Sequence, residues 1–272
     1  FQYRNDHYPD VDDTAVVAMA LDRAGEPSQA ESLSRAVEWI IGMQSKNGGW
    51  GAFDADNTQY ILNSIPFADH GALLDPPTAD VSARCLSMLA QTGYGRDHQA
   101  VQRALRYLRD EQEADGSWFG RWGTNYVYGT WSVLCALNAV REDMNQPYIR
   151  KAVDWLKARQ RDGGGWGEDG ASYWEETRDA CKDSTPSQTA WAVLGLMAAG
   201  EVESPEVRRG IEYLARHPRE GAKWDESLFN AVGFPRIFYI TYHGYSRYFP
   251  LWALARYRNL MRGNTRKVAH GM

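Results

Sequence analysis

The sequence has few cysteines, no surplus of positive charge and no long apolar run. Only three of its 272 residues are cysteine. Cys85, Cys135 and Cys181 stand far apart without metal-ligand spacing, which argues against a disulfide framework or a zinc site and for reduced thiols in a cytosolic setting. A formal charge of -5 leaves no broad basic surface, so nucleic acid is not an expected partner. The one basic stretch, Arg262 to Lys267, reads as a solvated tail. No apolar segment is long enough to cross a bilayer and no signal or transit peptide is present, so any membrane contact is expected on one face only. The sequence opens at Phe1 rather than Met and runs directly into a motif, as the middle of a longer protein would.

Aromatic residues are plentiful. Eleven Trp and fifteen Tyr exceed what routine packing asks for and point either to aromatic structural repeats or to an aromatic-lined cavity. Three copies of Gln-x-x-x-Gly-x-Trp end at Trp50, Trp118 and Trp166, and a degenerate fourth runs from His217 to Trp224. Their spacing suits a unit of two helices with variable loops. Each copy follows a run with one polar face, closing on Trp39-Ile40, Tyr107-Leu108, Trp155-Leu156 or Tyr213-Leu214, and these are the expected outer helices. Between them lie small-residue apolar runs, Thr14 to Ala24, Val81 to Thr92, Tyr128 to Val140, Thr189 to Gly200 and Phe249 to Tyr257, which should be buried on most sides as inner helices. The expected fold is an all-α α/α-barrel over residues 1–260, followed by a basic tail over 261–272. Aligning Thr14, Ser82, Thr130 and Thr189 gathers the loops before the inner helices at one mouth, where catalytic groups are expected.

Asp10, Asp12 and Asp13 fall at the start of the first inner helix. One acid there is explained by capping and by the helix dipole. Three within four positions exceed that need, because crowded carboxylates push at least one to keep its proton. Asp80 takes the corresponding place before the next inner helix, with Arg84 one turn later. A cation beside a neutral carboxylic acid stabilises its conjugate base and makes it the stronger donor.

With these residues in view, the sequence resembles the squalene-hopene cyclase family along nearly its whole length. The Gln-x-x-x-Gly-x-Trp copies are similar to that family's Gln-Trp motifs, and Asp10-Val11-Asp12-Asp13-Thr14-Ala15 to its acidic motif. Phe-Gly-Arg-Trp-Gly-Thr-Asn-Tyr (119–126) and Gly-Phe-Pro-Arg-Ile-Phe-Tyr (233–239) look like its cavity loops. The resemblance implies Asp12 as proton donor, Asp10, Asp13 and Asp80 as supporting acids, Arg84 in a place where some members have histidine, and Tyr128 returning a proton to the spent acid. It implies an aromatic wall of Phe1, Phe53, Trp122, Phe234, Phe238, Tyr242 and Tyr245, with Phe67 and Ala68 at the substrate-channel constriction. The 4, 4 and 3 spacing from Phe234 to Tyr245 is, on periodicity alone, an apolar helical face.

The implied activity is proton-initiated cyclisation of squalene to hopene, with hopanol by water capture, needing neither metal nor cofactor. Its partners would be squalene, the rest of the same enzyme (an N-terminal domain) and one face of a membrane. The implied location is peripheral, on the cytoplasmic side of a bacterial cell membrane, and a homodimer is compatible with it. On the residues alone other readings stay open: a glycoside hydrolase on an α/α-barrel, a class II diterpene cyclase, which shares the acidic motif, or a non-catalytic module.

Overall fold

A computed structural model describes residues 7–65 and 73–272. The expected wall residue Phe1 and the constriction residues Phe67 and Ala68 lie outside them. Among the described residues nine α-helices alternate between two kinds: α1 (Val11–Ala24), α2 (Ala30–Gly42), α3 (Ala79–Gln91), α4 (Gln99–Asp110), α5 (Tyr126–Ala139), α6 (Pro147–Ala158), α7 (Pro186–Ala198), α8 (Pro205–Arg216) and α9 (Tyr245–Arg262). Two short hairpins, β1 (Arg219–Glu220) with β2 (Lys223–Trp224) and β3 (Ala231–Phe234) with β4 (Phe238–Ile240), lie between α8 and α9. The fold class is the α/α-barrel, with odd-numbered helices inner and even-numbered helices outer.

The chain divides into two compact units, Phe1–Glu111 with Met272, and Gln112–Gly271. In the first, α1 packs on α2 and α3, and α4 covers α3. In the second, α7 packs between α5 and α9, while α6 and α8 lie against the inner helices. The sequence pattern explains the difference in burial. In α7, where Ala, Leu, Val and Trp prevail, every residue is buried; in α4 only Ala100, Val101, Ala104, Tyr107 and Leu108 are, and its arginines face outward.

The Gln-Trp turns hold these layers together by the same bonds each time. Gln44, Gln112 and Gln160 donate through Nε2 to the carbonyls of Ala100, Tyr148 and Glu206, at 2.8–2.9 Å, in the first turn of the following outer helix. The main-chain N–H groups of Trp50, Trp118 and Trp166 donate to the hydroxyls of Ser82, Thr130 and Thr189 on the next inner helix, at 2.9–3.0 Å. The indoles of Trp50, Trp166 and Trp224 reach the carbonyls of Ile40, Leu156 and Leu214, ten residues back. Trp224 therefore keeps the bond although its own motif is degenerate. Buried polar groups in each turn are thus satisfied at both helix layers, which is why the motif needs an amide, a glycine and an indole at fixed spacing.

The stretch from Phe234 to Tyr245 is not a helical face. Arg236 takes φ +70, and Phe234 pairs with Phe238 across the β3–β4 hairpin. Pro235 and Arg236 reverse the chain there, which an apolar count at helical intervals does not register. α9 starts at Tyr245, four residues before the apolar run at Phe249, and continues through Pro250.

Candidate active site

Asp10 is the N-cap of α1, its Oδ1 accepting from Asp13 N at 2.9 Å. The first turn is fixed from outside as well, because Val11 N donates to Ala52 O at 2.7 Å, in the loop after Trp50. That turn sends its two remaining acids different ways. Asp13 is exposed and lines a groove of about 400 Å³ with Asp10, Thr14, Ala36 and Phe53. Asp12 turns toward α3 and forms an ion pair with Arg84 Nε.

On α3 the partner groups are buried. Thr78 is the N-cap and donates from Oγ1 to Asp80 Oδ1 at 2.7 Å, while Thr78 N donates to Trp50 O at 3.1 Å. Asp80 is 0% and Arg84 7% exposed. The acidic segment of α1 and the Asp80/Arg84 pair of the next inner helix are therefore brought together, as the alignment of inner helices expected, with Asp13 turned away.

Burial pushes the Asp12 carboxyl up to about 6, with the negative charges of Asp80 and Asp10 adding to the rise and Arg84 opposing it. Asp10 is also raised, mainly by burial, against the N–H bond from Asp13. A carboxylic acid that keeps its proton toward neutrality while touching a guanidinium is equipped for general-acid chemistry: protonated often enough to donate, and stabilised once it has.

Within the second unit, the predicted aromatic residues are tied together by the loops that carry them. Val232 N donates to Trp122 O at 3.1 Å and Thr124 N to Asn230 O at 3.3 Å, joining the 119–126 loop to the β3–β4 hairpin. Phe234 and Phe238 rings lie 5.3 Å apart, and Tyr242 and Tyr245 rings 5.0 Å apart. Tyr128 is buried under the same loop; a side chain at Gly123 would meet its ring at 2.4 Å. The Tyr128 ring packs on Trp131 and Trp191, at 5.5 and 4.9 Å. Phe53, in the first unit, stacks on Tyr8 at 4.8 Å.

Several positioning residues escaped sequence reasoning. Asn230, 1% exposed, accepts from Tyr242 N at 2.9 Å and donates to Glu226. The Tyr173 hydroxyl donates toward the carbonyls of Gly120 and Gly123, both 3.2 Å away, and so supports the Trp122 loop. Trp131, Trp191, Phe249 and Trp252 form an aromatic cluster behind Tyr245. For the two tryptophans a signal was present: they stand one and two residues after the aligned Thr130 and Thr189.

An acid raised toward neutrality at the start of one inner helix and paired to a cation of the next, on an α/α-barrel scaffold, is a site fitted for proton donation. The chain belongs to the family of the squalene-hopene cyclase C-terminal domain, whose model matches residues 1–259. It is 60% identical over 270 residues to the probable squalene–hopene cyclase of Sinorhizobium fredii, covering 97% of this chain and 42% of that protein. It is 59% identical over 278 residues to the squalene–hopene cyclase of Zymomonas mobilis, covering all of this chain and again 42% of the relative. Among solved structures it is similar to the type II terpene cyclase MstE from Scytonema, with TM-score 0.61 at 21% identity over 87% of this chain and 63% of that one. A possible GH105 family member from Salmonella enterica matches with TM-score 0.59 at 16% identity, covering 90% of this chain and 70% of that one. Both likenesses are of fold alone.

Proposed function

We propose that the chain is the acid-bearing part of an enzyme that cyclises squalene to hopene, with hopanol as the water-captured product. The observation that carries this reading is the Asp12–Arg84 pair, an acid raised to about 6 and held on a buried guanidinium where α1 meets α3. In the proposed reaction the Asp12 O–H adds its proton to a terminal alkene of squalene, and the electron pair of that double bond forms the new C–H bond. The resulting tertiary cation is attacked by successive double bonds. The last cation loses a proton to give hopene, or takes up water and then loses a proton to give hopanol.

Asp10 and Asp80 keep the local field negative, which favours the protonated form of Asp12, and Arg84 stabilises the carboxylate left behind. Asp13 has a supporting place in the groove. Tyr128 has the hydroxyl required to relay a proton back. Phe53, Trp122, Phe234, Phe238, Tyr242 and Tyr245 offer polarisable π faces that stabilise cations without trapping them. Initiation by protonation, rather than by loss of diphosphate, calls for no metal. The barrel domain is assigned to residues 1–260. Because squalene is insoluble in water, the complete enzyme would take it up from a membrane by contact on one face; no helix among the described residues is long and apolar enough to span one.

The test is the product profile of the full-length enzyme fed squalene. Asp12→Asn keeps the shape and removes the proton; it is expected to abolish hopene and hopanol formation, a loss of at least about a thousandfold on the scale set by essential catalytic groups. Cyclisation by the Asn variant at a rate near wild type would remove Asp12 from this role.

A further inference from the structure

We propose that Asn230 and Glu226 form a positioning pair that decides where cyclisation ends, by fixing Tyr242 against the Trp122 loop; its meaning for the product rests on the function proposed above. Asn230 lies in the middle of three aligned segments. On one side its carbonyl accepts from Thr124 N at 3.3 Å, next to the Gly123–Ala231 bridge and the bond from Val232 N to Trp122 O. On the other its main-chain N–H donates to Ile240 O at 3.2 Å, at the end of β4. Beyond that point the side chain takes over from the main chain. Oδ1 accepts from Tyr242 N at 2.9 Å and Nδ2 donates to Tyr242 O at 3.3 Å, so one amide holds both polar main-chain groups of a single residue. Tyr242 O also accepts from Tyr245 N, at 3.0 Å, in the turn that starts α9. The same Nδ2 donates to Glu226 Oε1 at 2.9 Å, and Glu226 is anchored on α7 by Ser187 N at 2.8 Å and Ser187 Oγ at 3.1 Å. An inner helix, the hairpin and the Trp122 loop are therefore held in one register through a side chain that is 1% exposed.

The position calls for an amide. An aspartate offers acceptors alone and a leucine neither donor nor acceptor, and each bond lost leaves a buried partner unsatisfied. Because these groups share one network, loosening one shifts the others with it. The product follows from that shift. A cation passing along the wall is held by π faces at short range, and where a face stands off, the cation gives up a proton to water before the next ring closes. The C–H bonding pair on the neighbouring carbon then becomes a double bond, and the hydrocarbon released has fewer rings. None of these bonds involves Asp12, so initiation is not the step that changes.

Two measurements on the full-length enzyme test the pair. The first is the product profile with squalene. In Asn230→Asp two carboxylates face each other, and in Glu226→Gln two NH2 groups do. Each is expected to raise the share of incompletely cyclised products by about tenfold, while squalene consumption falls by no more than about threefold. The double variant reverses the bond, its new amide donating to its new carboxylate, and should return the share to within about threefold of wild type. A share unchanged in the single variants, or as high in the double one, overturns the proposal. Loss of consumption in all three would place the pair in folding alone and overturn it as well. The second measurement does not depend on the substrate. With fluorotyrosine incorporated, the Tyr242 resonance, assigned by its loss in Tyr242→Phe, is expected to move in both single variants and to return in the double one. A resonance that stays in place in Asn230→Asp overturns the positioning of Tyr242. Wild-type enzyme that makes no hopene would instead sink the proposed reaction and leave the fluorine result standing.

Discussion

In the proposed role Asp12 must be neutral enough to carry a proton and close enough to a cation for its carboxylate to be tolerable afterwards. Burial meets the first condition and Arg84 the second, and the balance puts the carboxyl at about 6. Above that pH the protonated fraction falls about tenfold per pH unit. The kcat/KM of the full-length enzyme on squalene is therefore expected to fall along a basic limb with its inflection near 6, and a profile flat from pH 5 to 8 would contradict it. The same shift bears on stability. Unfolded Asp12 ionises near the ordinary aspartate value of 3.8, whereas the folded acid keeps its proton to about 6. Between these values the folded state holds a proton that the unfolded state has lost, so this group's contribution falls as pH rises through the window, by about 3 kcal/mol in all. Removing the cation should raise the acid further: in Arg84→Gln the basic limb moves to higher pH while the rate at its plateau drops. Crowding of the three aspartates was legible in sequence. Which of them turns to the cation was implied only by the family resemblance, because Asp12 and Asp13 are both first-turn positions about 100° apart around the helix, and only the packing of α3 decides between them.

At the scale of elements, carboxylates cap the inner helices from outside. Glu168 accepts from Asn125 N at 3.1 Å and Val127 N at 2.8 Å at the start of α5, and Glu226 accepts from Ser187 N at 2.8 Å at the start of α7. Both acids stand two residues after a repeat tryptophan; at the same place after Trp50 is Ala52, whose carbonyl takes the N–H of Val11 instead. An acid side chain there would add negative charge beside Asp12, and the repeat has none. Glu168→Ala should cost about 2 kcal/mol, since two part-buried N–H groups lose their acceptor, and Glu168→Gln less. Urea unfolding of the chain measures it, and a change under about 0.5 kcal/mol would deny the cap its importance. The turn glycines give a paired check: Gly164 has φ +88, and a Cβ there would lie 2.7 Å from Arg209 O, whereas Gly163 faces open space. Gly164→Ala is expected to destabilise by more than about 1 kcal/mol and Gly163→Ala to be near neutral. Helix order and layer were readable from periodicity, because inner and outer helices differ in how many faces they bury. The β3–β4 hairpin was not, because its aromatic spacing imitates a helix and the reversal is set by two backbone torsions.

On the scale of the whole molecule, the chain spans 42% of the length of the relatives reported above, and its surface bears marks of unfinished packing. The inner helices α3, α5 and α7 each receive a tryptophan N–H on an early hydroxyl, whereas Thr14 of α1 turns its hydroxyl onto Asp10 O at 2.6 Å. Val16 and Val17 of α1 are exposed, although the residues two and three after the aligned Ser82, Thr130 and Thr189 are buried. In the second unit Phe229, Phe238, Tyr242, Tyr248 and Leu251 are exposed, more apolar area than a finished surface usually leaves in one stretch of chain. The expectation that more of the same enzyme is needed was reached in sequence from family resemblance; the hydroxyl of Thr14 and the valines beside it give it a physical basis. The chain by itself should therefore bind a dye such as ANS in proportion to this surface and leave squalene unchanged. Supplying the rest of the full-length protein in trans should quench the dye signal, protect Val16 and Val17 from solvent in methyl labelling, and restore cyclisation that Asp12→Asn then removes. Conversion of squalene by the chain alone would mean that the acid centre needs no partner surface. Dye quenching without protection of α1 would place the missing contacts elsewhere.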